Sequence, residues 1–248
     1  MISLNGRKGL VVGGSTGIGR AIADAWSQAG MDVQVLSRSQ PTNQNKLRWS
    51  AVDLADQASA HSALKEAIRE PLHAVCFAAV HYGERRTMFT DTPLSQWRQQ
   101  LEVNLNGLWL TLSTTLPLLR KARPGLFLNV SSEVVFNGGP GRAGYAATKA
   151  ACASLLDSIC QEEDPDEVRL ISVLPAGMVD SPGIRRRRPS DFDYATYMRP
   201  DSFGPVAVEL AMKTGIQHNG DSLVVSGDGD WRSVRNSLPT SQSDRRRK

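Results

Sequence analysis

Cysteine is scarce in this chain, with three in 248 residues. Cys76, Cys152 and Cys160 have neither metal-ligand nor redox spacing, so a thiolate metal site and a disulfide scaffold are not expected. Cys76 falls in an apolar run and the other two on a helix of small residues, which predicts buried free thiols in a reducing compartment. No apolar run approaches the length of a membrane span, and no hydrophobic leader region precedes the first strand signal. The expected location is cytoplasmic. Charge of one sign is in short supply too. The formal net charge is +4, much of it in Arg185–Arg188 and in Arg245, Arg246, Arg247 and Lys248, which is not the broad stripe of a nucleic-acid binder. These absences leave a small molecule as the expected partner, with no nucleic acid and no membrane.

What the chain does have is an alternation. Residues 9–12 read as a short apolar strand, a glycine-rich stretch follows at 13–19, and a helix runs from 18 to about 29, closed by Gly30. That order lets backbone approach a pyrophosphate, which a helix N-terminus stabilises; a glycine turn with no ligand is the plainer alternative. A second strand, 32–36, ends in Ser37-Arg38-Ser39, about twenty residues past the glycines, where an NAD site places an acid. No acid is there. Arg38 can fork onto a 2′-phosphate, which favours NADP(H) over NAD(H), although a solvated surface arginine has the same sequence.

Further strands are expected at 47–52, 74–80, 126–130, 168–174 and 222–226, with helices at about 57–70, 93–121, 143–160 and 203–213. The pattern predicts a single α/β domain over residues 1–235, a Rossmann-like doubly wound parallel sheet with helices on both faces. Residues 175–205 break the pattern, holding five of the thirteen prolines and four consecutive arginines. That composition suits an irregular substrate lid over about 176–205. Residues 236–248 form a polar, basic tail, expected to be disordered.

On the helix at 143–160, Tyr145 and Lys149 are four apart and share a face. A phenol is a poor acid at neutral pH, and an ammonium at helical reach stabilises the phenolate and pulls its pKa toward the working range. Ser132 follows the strand at 126–130, where its hydroxyl could bond an oxygen that Tyr145 also touches. Four tyrosines and seven lysines meet at this spacing by chance in roughly one chain in ten, so the pair gains weight only beside a hydride carrier. Asn104, polar in an apolar helix, needs a partner, from the core or from a site.

Taken together these residues resemble the short-chain dehydrogenase/reductase family, of the compact kind of roughly 250 residues, across about 6–230. The resemblance implies a catalytic tetrad of Asn104, Ser132, Tyr145 and Lys149. Tyr145 would be the general acid/base, Ser132 would hold the substrate oxygen, and Lys149 would lower the tyrosine pKa and bind the nicotinamide ribose. Asn104 would help hold a water in a proton relay. It implies a cofactor site along Gly13, Ser15, Thr16, Gly17, Ile18, Gly19, Ser37, Arg38, Asp53, Leu54, Ala78, Ala79, Pro175, Gly177, Val179 and Ser181, shared with Tyr145 and Lys149. Family members are homodimers or homotetramers, and the same assembly is expected here. The chain departs from the family pattern at Val12, at Cys76-Phe77-Ala78-Ala79, at Ala176 and at Ser181, and Thr16 stands where many NADP-preferring members carry a second basic residue.

The expected activity is NADPH-dependent hydride transfer between nicotinamide and a ketone, aldehyde or secondary alcohol. A nucleotide-binding regulator that kept the fold and lost turnover is the alternative of another class. An epimerase or dehydratase using the same pair is a third, against which the short stretch after Pro175 argues. By position near the motifs, His81, Tyr82, Glu133, Phe136, Tyr194 and Tyr197 are candidates to line the substrate pocket. The run Arg185–Arg188 is either a solvated charge run or a lid feature that favours an anionic substrate.

Overall fold

The computed structural model describes residues 3–43, 46–68 and 70–234. The expected tail, 236–248, lies outside them. Eight strands form one sheet in the order β3-β2-β1-β4-β5-β6-β7-β8. Seven are parallel: β1 (Lys8–Val12), β2 (Asp32–Ser37), β3 (Arg48–Ala51), β4 (Ala74–Phe77), β5 (Gly125–Val130), β6 (Val168–Pro175) and β7 (Ser222–Val225). The eighth, β8 (Trp231–Ser233), runs antiparallel to β7 and corrects the expectation of a purely parallel sheet.

The chain crosses from β1 outward to β2 and β3, then returns past β1 to β4, so β1 and β4 bracket a switch point at their carboxyl ends. Ligand crevices open at such points in doubly wound sheets. Strand residues alternate between two cores. Val11, Val35, Cys76 and Leu128 face one side, where α1 (Gly17–Gln28) and α7 (Gly204–Lys213) pack with Ile22, Trp26, Val206 and Leu210. The Trp26 indole N–H reaches the Ala207 carbonyl at 2.9 Å and ties the two helices together. Leu10, Val12, Leu36, Phe77 and Phe127 face the other side, under α2 (Gln57–Ala67), α4 (Gly107–Ala122) and α5 (Ala143–Glu162). Two buried faces explain why the strands read as continuous apolar runs.

Two elements are shorter than expected. The strand expected over 74–80 ends at Phe77, and Ala78–Val80 leave the sheet to line a cleft. The single helix expected over 93–121 is three pieces: α3 (Leu94–Gln100), a π-helical turn at Leu101–Asn106, and α4. A π turn carries an extra residue and is frequent at functional sites. Here it brings Asn104 inward, fully buried, and lets Gly107 approach Leu54, whose Cδ1 would lie 2.9 Å from any Cβ at that position. Between β6 and α7 the chain is mostly irregular, broken by the short α6 (Pro182–Arg185) and a bridge between Val179 and Met198.

Candidate active site

A cleft of about 730 Å³ opens at the carboxyl ends of β1, β4, β5 and β6. One end is built by the loop after β1. Gly13 has φ +86°, and a Cβ there would lie 2.4 Å from the Ala79 backbone nitrogen, so only glycine lets the β1 and β4 loops close together. Gly13 N–H donates to Leu36 O and Ala78 N–H to Val12 O, fixing both loops to neighbouring strands. Helix α1 then starts behind Thr16, with no acidic residue in its first turn and no side-chain cap on its N–H groups. Those donors and the positive helix end suit a diphosphate.

Ser15, Thr16, Gly17, Ile18 and Gly19 line this end, with Ser37, Arg38, Asp53 and Leu54 on the adjoining wall. No carboxylate stands at the end of β2. The Ser37 hydroxyl is committed, donating to Ser39 O at 2.9 Å and accepting from Trp49 Nε1 at 3.1 Å. Asp53 accepts from Ala55 N–H, which shapes the turn after β3. An arginine with no competing acid fits a phosphorylated ribose better than a free one, so the donor set fits NADP(H).

The other end holds the ionisable groups. On α5 the buried residues are Tyr145, Thr148, Lys149, Cys152 and Leu156, a stripe at helical spacing whose polar end faces the cleft and whose apolar end faces the core. Tyr145 is 8% exposed and Lys149 4%. Burial pushes the Tyr145 pKa well up, and the nearby Tyr82 adds to this; a hydrogen bond with Ser132 and the Arg142 charge oppose it. Burial pulls Lys149 down, and its Nζ donates to Val130 O at 2.8 Å. The expected lowering of the phenol by the ammonium is therefore not what this structure shows. Desolvation outweighs it, and the ammonium is turned to a strand-end carbonyl.

Ser132 follows β5 and donates to Glu133 Oε2 at 2.7 Å, while Glu133 Oε1 accepts from Arg142 at 3.0 Å. A hydroxyl, a carboxylate and a guanidinium thus run in series beside Tyr145, a chain that the sequence spacing did not reveal. Asn104 has no part of the cleft wall. Its Oδ1 accepts from His81 N–H at 2.7 Å, and its Nδ2 donates to His81 O and Thr148 Oγ1. Its backbone carbonyl accepts from Cys152 Sγ at 3.2 Å. The amide thereby pins the segment after β4 to the middle of α5.

Ala78, Ala79, His81, Tyr82, Glu133, Pro175, Gly177, Val179 and Ser181 all line the cleft. Ser181 also caps α6 through Ile184 N–H. Three expected pocket residues do not line it. Phe136 is 63% exposed, and Tyr194 and Tyr197 pack edge-on with Phe192 outside it. Nearness in sequence to a motif did not carry those three inward. Missed were Arg86, Arg142, Met178 and Ile184, whose places on the wall depend on how loops fold back.

The family model of short chain dehydrogenases matches residues 8–191. The chain belongs to the short-chain dehydrogenase family. An uncharacterized oxidoreductase of Staphylococcus epidermidis is 32% identical to this short-chain dehydrogenase over 196 residues, 73% of this chain and 82% of the relative. The 3-oxoacyl-[acyl-carrier-protein] reductase of Aquifex aeolicus is 26% identical over 245 residues, 91% of this chain and 98% of that one. Among solved structures, one described as an NAD(P)-dependent gluconate 5-dehydrogenase from Beutenbergia cavernae, with NADP bound at low occupancy, superposes with a TM-score of 0.79. It is 26% identical and covers 92% of this short-chain dehydrogenase and 97% of its own chain. Membership makes this a nucleotide-dependent oxidoreductase, and among the described residues no helix is long and apolar enough to cross a membrane.

Proposed function

We propose that the protein is an NADPH-dependent carbonyl reductase, able to run in reverse on a secondary alcohol. One observation carries this reading. The buried Tyr145 phenol, hydrogen-bonded to Ser132, opens into the same cleft as the α1 N-terminus and Arg38. The glycine loop, Arg38, Lys149 and Ser181 would hold NADP(H), which when bound supplies hydride to a carbonyl carbon. The NADP-bound relative from Beutenbergia cavernae supports the cofactor assignment.

Tyr145 gives its proton to the carbonyl oxygen. Its raised pKa keeps the phenol protonated through neutral pH, the form that reduction needs. Ser132 hydrogen-bonds the same oxygen once it turns from Glu133, and Arg142 holds that carboxylate aside. Asn104 is a positioning residue, fixing His81 and the Tyr145 helix in register. Residues 176–205 close the cleft opposite Tyr145 and act as the substrate lid. Consumption of NADPH by the purified protein over a panel of ketones and aldehydes tests the reading. Turnover on at least one is expected; none on any would leave the regulator reading in its place.

A further inference from the structure

The four consecutive arginines do four different things. Arg185 forms a two-pronged pair with Asp180, at 2.6 and 2.7 Å, and its guanidinium lies over the Tyr194 ring. Arg188 donates to the Tyr197 hydroxyl and lies over Phe192. Arg186 is exposed at the cleft rim. Arg187 lines the cleft, half-buried, 5.5 Å from the centre of the Tyr82 ring, and that ring is 5.2 Å from the centre of Tyr145. Among the described residues it has no carboxylate partner, and its Nε is buried with no hydrogen bond at all.

A half-buried guanidinium without an anion is a costly arrangement, and stacking on a tyrosine offsets only part of that cost. Burial, and after the opposing pull of Tyr82 the charges of Arg86 and Arg188, hold its pKa below the usual guanidinium range. Arg86 and Arg186 share the cleft and also lack carboxylate partners among the described residues. The two acids on the wall do not neutralise them: Glu133 is taken by Arg142, and Glu84 is exposed. The field inside this end of the cleft is positive, and it is strongest beside the proton donor.

Resting on the oxidoreductase reading above, we propose that the substrate is a compact carbonyl compound carrying an anionic oxygen group, carboxylate or phosphate, which Arg187 binds while the carbonyl oxygen meets Tyr145. The planar fork of Arg187 matches either anion with two parallel hydrogen bonds. The short path from Arg187 through Tyr82 to Tyr145 places the anion a few bonds from the carbonyl. Arg86 and Arg186, at the rim, draw the anion in rather than seat it.

The test uses matched pairs: acetoacetate against methyl acetoacetate, and dihydroxyacetone phosphate against dihydroxyacetone. The parent should show a kcat/KM at least tenfold higher for the charged member of one pair, and the pair that responds identifies carboxylate or phosphate. Arg187→Gln should raise KM for that anion about ten- to a hundredfold, the range expected for charge-assisted hydrogen bonds. It should leave KM for the neutral partner and the NADPH dissociation constant within twofold. Arg187→Lys, which keeps the charge without the fork, should recover part of the loss. No charge preference in either pair, or a loss that falls on NADPH binding, overturns the proposal. Should no carbonyl be turned over, titration calorimetry of malonate and of inorganic phosphate with the NADP⁺ complex decides separately. Binding that Arg187→Gln abolishes upholds the anion site while the reductase reading fails, and binding indifferent to residue 187 overturns it.

Discussion

The wall of the cleft built by β4, β5 and α5 and the wall built by residues 176–205 hold their polar groups in opposite ways. On the first, Asn104, Lys149 and Ser37 at the adjoining β2 end have spent their hydrogen bonds on backbone or on each other's neighbours, and all are buried. On the second, arginines lean on aromatic rings, one finds a carboxylate, and others find none among the described residues. Groups whose partners are fixed are preorganised, and catalysis rewards that. Groups held by rings can exchange partners at little cost, and recognition of a charged ligand rewards that. The difference separates where the reaction is done from where the substrate is chosen.

The largest effect should come from the fixed wall. Tyr145→Phe removes the proton donor and should lower kcat by about a hundred- to ten-thousandfold with NADPH affinity unchanged; near-parental turnover in the folded variant would break the assignment. Next comes the nucleotide end. The parent should prefer NADPH over NADH by at least about tenfold in kcat/KM, and Ser37→Asp with Arg38→Ala should invert this. An aspartate at 37 can still accept from Trp49 Nε1, so the double variant should fold. Steady-state kinetics with both nucleotides on one substrate decides it.

A smaller effect concerns stability and pH. The folded chain binds the Lys149 proton more weakly than the unfolded chain does, because burial lowers that pKa. The penalty is complete below the folded pKa and fades as pH rises toward the unfolded value of about 10.4. Lys149→Met should therefore unfold at higher urea than the parent at neutral pH, with the gap closing in alkaline buffer. A gap that widened with pH would reverse the sign. Smallest of all, Arg185→Gln should change KM for any substrate less than twofold, since Asp180 and Tyr194 already occupy that guanidinium. An effect at Arg185 as large as at Arg187 would erase the division of labour within the run.

Much of the fixed wall was legible because burial and helical spacing leave periodic marks. Apolar runs gave the parallel strands, and the four-residue step from Tyr145 to Lys149 gave the shared face. The π turn was not legible, since LEVNLN has the composition of ordinary helix and only the pull of Asn104 toward His81 and Thr148 selects the wider turn. Strand β8 is three residues long, too short to carry an alternation, and follows from pairing with β7. The lid reads as irregular and basic, but nothing in four identical residues distinguishes Arg187 from Arg185. Tyr194 and Tyr197 failed as pocket residues because Phe192 offered them a closer apolar partner. The Ser132–Glu133–Arg142 chain depends on a loop bending back, which spacing does not encode.

The hydrogen bond from the Trp49 indole to Ser37 Oγ has an optical consequence. Indole emission shifts in wavelength and yield with the polarity at its nitrogen, and this nitrogen sits one residue from Arg38. Trp26, one of five tryptophans, is sealed in the core with its own N–H on Ala207 O, where its emission stays constant and blue. The chain thus carries a reporter at the adenosine end of its cleft and a reference in its interior, so occupancy of that end can be followed in unlabelled protein by the red edge of its own fluorescence.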